Sequence, residues 1–198
     1  MPSTNRVFLF VFAVVGLAGF SWGCADQVTA PEGVRLVPAA KPVDAGGGAA
    51  NFETRYLADA IDAAQLTLDM AQVCVSKGNL HPELMAFCQE TATQASHNVS
   101  LLQSWLSTWY GIDHVPSLGN PDQRVLSNLS SLEEGDFEIA YLEAMVKEYT
   151  TSVRVETHCY GRASTTALID FCFNMQLAHS QDIDQMNSWL CNWYGECR

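Results

Sequence analysis

From residue 51 onward, apolar side chains recur every three or four positions, broken only at segments that carry glycine and proline. The first run predicts a helix over residues 51–76, with Leu57, Ile61, Ala64, Leu68, Ala71 and Val73 on one stripe. Lys77-Gly78-Asn79 ends it. His81-Pro82-Glu83 then opens a second helix, because proline is tolerated in the first turn and glutamate suits the positive end of the helix dipole. Leu84, Phe87, Cys88, Val99, Leu102, Leu106 and Trp109 mark its buried face, and Gly111 stops it. A third helix is predicted over 136–156, with Asp136 as its N-cap and Ile139, Leu142, Met145, Val146, Tyr149 and Val153 along it. The fourth runs over about 164–193 through Leu168, Cys172, Met175, His179, Ile183, Met186 and Leu190. Residues 112–135, with Pro116, Gly119, Asn120 and Pro121, read as a linker with a short extra helix over 123–132. No stretch sustains the alternation of a strand.

The four helices are two copies of one pair. Trp105-Leu-Ser-Thr-Trp-Tyr-Gly111 returns as Trp189-Leu-Cys-Asn-Trp-Tyr-Gly195, 84 positions on, and Cys88 and Cys172 keep the same spacing. Tyr56-Leu57 and Tyr141-Leu142 stand 85 apart, as do Cys74 and Cys159, so one residue was lost between the paired cysteines. A repeat of this size is a duplicated structural unit. Two helical hairpins that each expose an apolar face are expected to pack as an all-α four-helix bundle. Its parts are hairpin one over 51–111, the linker over 112–135 and hairpin two over 136–198.

Composition adds a compartment. Of 198 residues, 48% are hydrophobic and 16% charged, which suits a packed core. Ten basic against 22 acidic residues give a net charge of −12, which argues against nucleic acid as a partner. Arg6 precedes an apolar run over 7–20, too short to span a bilayer but suited to a signal peptide over 1–23. Gly23-Cys24 resembles the lipobox of bacterial lipoproteins, although Ser21 and Trp22 stand where that pattern prefers Leu and a small residue. Cys24 is the expected lipid carrier, with ordinary signal cleavage and a free Cys24 as the alternative. Residues 24–50, rich in Ala, Pro, Gly and Val, then form a tether between a membrane and the bundle. Seven cysteines less Cys24 leave six, and an exported chain meets an oxidising compartment. The duplication pairs Cys74 with Cys88 and Cys159 with Cys172. Cys191 and Cys197, absent from the first copy, are left for each other.

Two helices joined by His81-Pro82-Glu83-Leu84 and closed by Trp-Leu-x-x-Trp-Tyr-Gly resemble an exported bacterial domain family of unknown function with a ferritin-like bundle. The resemblance covers residues 52–111 and 137–195. It implies a periplasmic or surface-facing domain of the cell envelope, and some members of the family are copper-binding proteins. Their first helix usually carries Met-Ile-Pro-His-His as the source of metal ligands. This chain has Ala60-Ile61-Asp62-Ala63-Ala64 and Met145-Val146-Lys147-Glu148-Tyr149 at those places, so the resemblance implies a kept scaffold with its metal chemistry largely stripped.

No Glu-x-x-His, His-Glu-x-x-His, Gly-x-Ser-x-Gly, phosphate loop or dinucleotide fingerprint occurs, so the sequence offers no catalytic machinery. His81 reads as a residue of the hairpin turn, His97 as a surface side chain and His158 as a solvated loop residue. The Trp pairs 105/109 and 189/193 read as core at the bundle ends. One arrangement retains ligand chemistry: Met145 and Glu148 share a face of the third helix, and Met175, His179 and Met186 share a face of the fourth. Two thioethers and an imidazole suit Cu(I). The sequence therefore reads first as a non-enzymatic, membrane-tethered interaction module without a cofactor, its protein partner unnamed. A weak copper or silver binder is the alternative.

Overall fold

The computed structural model describes residues 47–197. The signal segment, Cys24 and the tether up to residue 46 lie outside the described residues. Five helices follow one another: α1 (Gly47–Ser76), α2 (Pro82–Tyr110), α3 (Asn120–Ser131), α4 (Glu134–Arg162) and α5 (Thr166–Tyr194). Among the described residues there is no strand.

Helix limits differ from the sequence reading at several ends, and α3 begins at Asn120 rather than at 123. α1 starts at Gly47, so the last four residues of the expected tether wind one more helical turn. α4 starts at Glu134 behind Glu133, and Asp136 lies in its first turn beside Glu134, where a carboxylate suits the dipole without capping it. α4 also continues past Glu156 to Arg162, because the buried Cys159 pulls the last two turns against α5. His158 is thus an exposed helical residue, not a loop residue. Both Trp-Tyr-Gly endings stop their helices with a left-handed glycine, φ 68° at Gly111 and 75° at Gly195, whose N–H bonds back into the last turn.

Each hairpin is closed by its own disulfide, Cys74–Cys88 and Cys159–Cys172, and Cys191–Cys197 ties the C-terminus to the end of α5. The hairpins pack head to tail. One apolar cluster joins the turn end of hairpin one (Met70, Cys74, Leu84, Cys88) to the open end of hairpin two (Phe137, Tyr141, Leu142, Leu190). The other joins Tyr56, Leu57, Leu106 and Trp109 to Cys159, Leu168 and Cys172. α2 and α4 therefore run the same way, and residues 111–133 must return along the bundle as one long crossover, the ferritin-like connection. Asp62 fastens that crossover. Its Oδ1 lies 2.8 Å from His114 Nε2 and accepts the Ser117 N–H at 2.8 Å. α3 then covers the first cluster with Leu129, and Lys77 Nζ caps its C-terminal end through the carbonyls of Ser130 and Leu132.

Candidate functional site

Two buried glutamates lock the hairpins together. Glu53 on α1 accepts the Ser164 and Thr165 N–H groups at the start of α5, at 2.5 and 3.0 Å, both of their hydroxyls, and the Tyr110 hydroxyl. Glu138 on α4 accepts the His81 N–H at 2.8 Å and the Tyr194 hydroxyl, and its Oε2 lies 2.6 Å from His81 Nδ1. Each carboxylate thus meets the first residues of the opposite hairpin's second helix and the tyrosine of its own Trp-Tyr-Gly ending. Burial alone would push the Glu53 carboxyl up, but the Tyr110, Ser164 and Thr165 hydrogen bonds outweigh it and hold it below the ordinary range. Above the glutamates, Trp105 and Trp109 stack at 4.8 Å and Trp189 and Trp193 at 5.1 Å. His81 lies flat on Trp193 at 4.0 Å. His81 and the tryptophans belong to this frame.

Between the two apolar clusters, where all four long helices meet, lies a cavity of about 150 Å³. Hairpin one lines it mainly with small residues, Ala60, Ala63, Ala64 and Ala95, beside Thr67, Thr91, Gln94 and Asn98. Hairpin two supplies Glu148, Tyr149, Glu156, Met175, His179 and Asp182. Neither Lys nor Arg lines it. His179 Nδ1 stands 2.8 Å from Glu156 Oε1, with side-chain exposures of 13% and 8%. The contact is close enough for an ion pair but off the hydrogen-bonding direction of the ring, and Glu156 Oε2 has no hydrogen-bond partner among the described residues. Tyr149 stacks on the His179 imidazole at 4.1 Å. Burial pushes the Glu148 carboxyl up, with the Asp122 charge adding to it and His179 and Lys147 opposing. It likewise pushes Asp182 up, His179 opposing and Glu90 adding. A shallower hollow of about 520 Å³ between α1 and α4 adjoins the cavity through Tyr56, Asp59, Thr151 and Val155.

The profile of the domain of unknown function DUF305 matches residues 53–190. The chain belongs to the DUF305 family. Its fold is that of solved CopM structures. CopM in the Cu(I)-bound form aligns with a TM-score of 0.64 at 17% identity, covering 72% of this chain and 98% of that one. The Ag-bound form from co-crystallization gives 0.63 with the same identity and coverage. CopM in the apo form gives 0.62, again at 17% identity, over 72% and 98%. No curated protein matches the chain by sequence.

The five residues expected to share a soft-metal site are divided. Glu148, Met175 and His179 reach the cavity. Met145 and Met186 are fully buried in the apolar cluster around Leu142 and Leu190, one layer away. The Met175 thioether accepts the Asn98 amide at 3.7 Å. Among the described residues no group of three or more His, Cys, Asp or Glu is placed to hold a metal ion. The residues present do not fit the copper site that the resemblance implies. Glu156, Asp182, Glu53 and Glu138 were missed in the sequence. A signal for Glu156 was there, since it continues the buried stripe of Leu142, Met145 and Tyr149 at helical spacing. A carboxylate on an apolar stripe marks a buried polar role.

Proposed function

We propose that this protein is a non-enzymatic, exported bundle of the bacterial cell envelope, anchored by a lipid on Cys24. It acts as a binding module that holds a small guest between its hairpins. The observation that carries the reading is the central cavity lined by Glu156, whose Oε2 has no hydrogen-bond partner among the described residues. A bare spacer gains nothing from such a group, because a buried carboxylate oxygen left without a hydrogen bond is destabilising. The signal-like run before Cys24 and the three disulfides support an exported address, and the lack of any catalytic motif supports a non-enzymatic role. No helix among the described residues is long and apolar enough to cross a membrane.

A soft-metal reading draws on the Cu(I)- and Ag-bound CopM structures and on Met175 and His179, which share the cavity. Two soft donors support at most one weakly held Cu(I). Native mass spectrometry of protein taken from the membranes of an expressing bacterium tests the main reading. The expected result is an acylated Cys24 at the N-terminus and a small-molecule mass increment that Ala63→Leu removes by filling the cavity. A mature chain starting at Ala25 or later refutes the anchor. An increment unchanged in Ala63→Leu refutes the guest site.

A further inference from the structure

We propose that the guest is a small organic ammonium ion, held by Glu156 and enclosed by the aromatic rings of Tyr56, Tyr149 and Phe171. This rests on the guest-binding reading above and narrows it to one ligand class.

Four features of the cavity point to that class. Its volume, about 150 Å³, is that of a cavity able to take a benzene-sized molecule. Its charge is one-sided: Asp59, Glu148, Glu156 and Asp182 line it beside His179, and neither Lys nor Arg does. Glu156, one of the lining residues, is more than nine-tenths buried; its Oε1 stands against His179, and its Oε2 has no hydrogen-bond partner among the described residues. Tyr56, Tyr149 and Phe171 bring three aromatic residues to the same wall. A cation between a carboxylate and aromatic faces gains from both, and quaternary ammonium ions are commonly recognised in this way.

Other guests fit less well. An anion would meet Arg55 and Arg154 in the outer hollow but only carboxylates and neutral groups beside His179 inside. A divalent metal finds no cluster of ligands among the described residues. A soft metal finds one imidazole and one thioether, the latter already taken by Asn98. An ammonium ion needs no fixed coordination number.

The test is a calorimetric titration of the full chain with choline. The neutral isostere 3,3-dimethylbutan-1-ol is a second arm, and silver nitrate in chloride-free buffer a third. The expected result is one choline per chain, bound roughly tenfold or more tighter than the isostere. Glu156→Gln should bring choline down to the level of the isostere and leave the isostere unchanged. Ala63→Leu, which removes no charge, should abolish both while the chain still melts cooperatively. Equal binding of choline and isostere overturns the ammonium assignment but leaves a guest site standing. Silver saturating the cavity while choline gives no heat also overturns it. Choline binding that survives both substitutions overturns the site itself.

Discussion

Where hairpin one has Ala71 and Ala95, hairpin two has Glu156 and His179, by the same offsets that pair the cysteines. The same holds for Ala60 and Met145, Ala63 and Glu148, and Ala64 and Tyr149. Around this divergent interior the frame is duplicated almost contact for contact. Glu53 and Glu138 each hold a tyrosine and the start of a helix, and Phe171 meets Trp105 edge-on as Phe87 meets Trp189. The contrast separates two demands on one sequence. The frame contacts that cross between hairpins are reciprocal, so neither copy can lose its half without unfolding the other's end. Interior residues carry no such bond. One copy can shrink to alanine and open space, and the other can furnish it.

Breaking the frame should therefore have the largest effect, and it should be unequal between the copies. Glu53 receives five hydrogen bonds, four of them from Ser164 and Thr165, while Glu138 has the His81 N–H and ring and the Tyr194 hydroxyl. Glu53→Ala leaves buried donors at the start of α5 unpaired and should cost about 3 kcal/mol or more in urea unfolding. Glu138→Ala should cost less, because half-exposed His81 can turn to solvent. Equal losses would mean that the two locks are interchangeable and that the count of bonds does not set their strength.

Acid should distinguish frame from interior next. The folded-state pKa of Glu53 is depressed, so its contribution is present above its ordinary value of 4.5 and is lost as pH falls through the lower folded value. Glu148 and Asp182 are raised, so their effect has the opposite sign. They cost stability as pH rises from their ordinary values of 4.5 and 3.8 through the raised folded ones. Unfolding midpoints of the wild type should fall toward low pH and also decline on the neutral side of a mildly acidic maximum. Glu148→Gln with Asp182→Asn should flatten the neutral limb and leave the acid limb, which belongs to Glu53, in place. A neutral limb unchanged by the double substitution would show that the cavity acids do not titrate as the geometry requires.

Much of the frame was legible in the sequence, for a physical reason. Cysteines and terminating glycines act through neighbours a helical turn or one hairpin away, so their repeat at 84 or 85 positions carries the pairing with it. The glutamate locks were not legible. The partners of Glu53 and Glu138 include groups 112 and 57 positions away, brought together only by head-to-tail packing. For the cavity, the face of His179, Met175 and Glu148 was visible in the helical spacing. The depth of Met145 and Met186 was not, since spacing gives a direction on a helix and says nothing of the layer it meets. The helix limit set at Glu156 hid that residue's place on the buried stripe.

The smallest expected effect comes from making the interiors alike. Ala60 lines the cavity, and its counterpart Met145 is fully buried in packed surroundings. Ala60→Met adds to hairpin one the side chain that hairpin two carries. Methionine is flexible and a good helix former, and the space is already open, so the substitution should shift stability by no more than about 1 kcal/mol in either direction. The reverse change, Met145→Ala, empties a filled site and should cost about 2–5 kcal/mol. Urea midpoints of the two variants measure the difference directly. If Ala60→Met cost as much as Met145→Ala, the cavity would be too tightly walled to accept even a flexible side chain, and the openness of hairpin one would not be the source of the space.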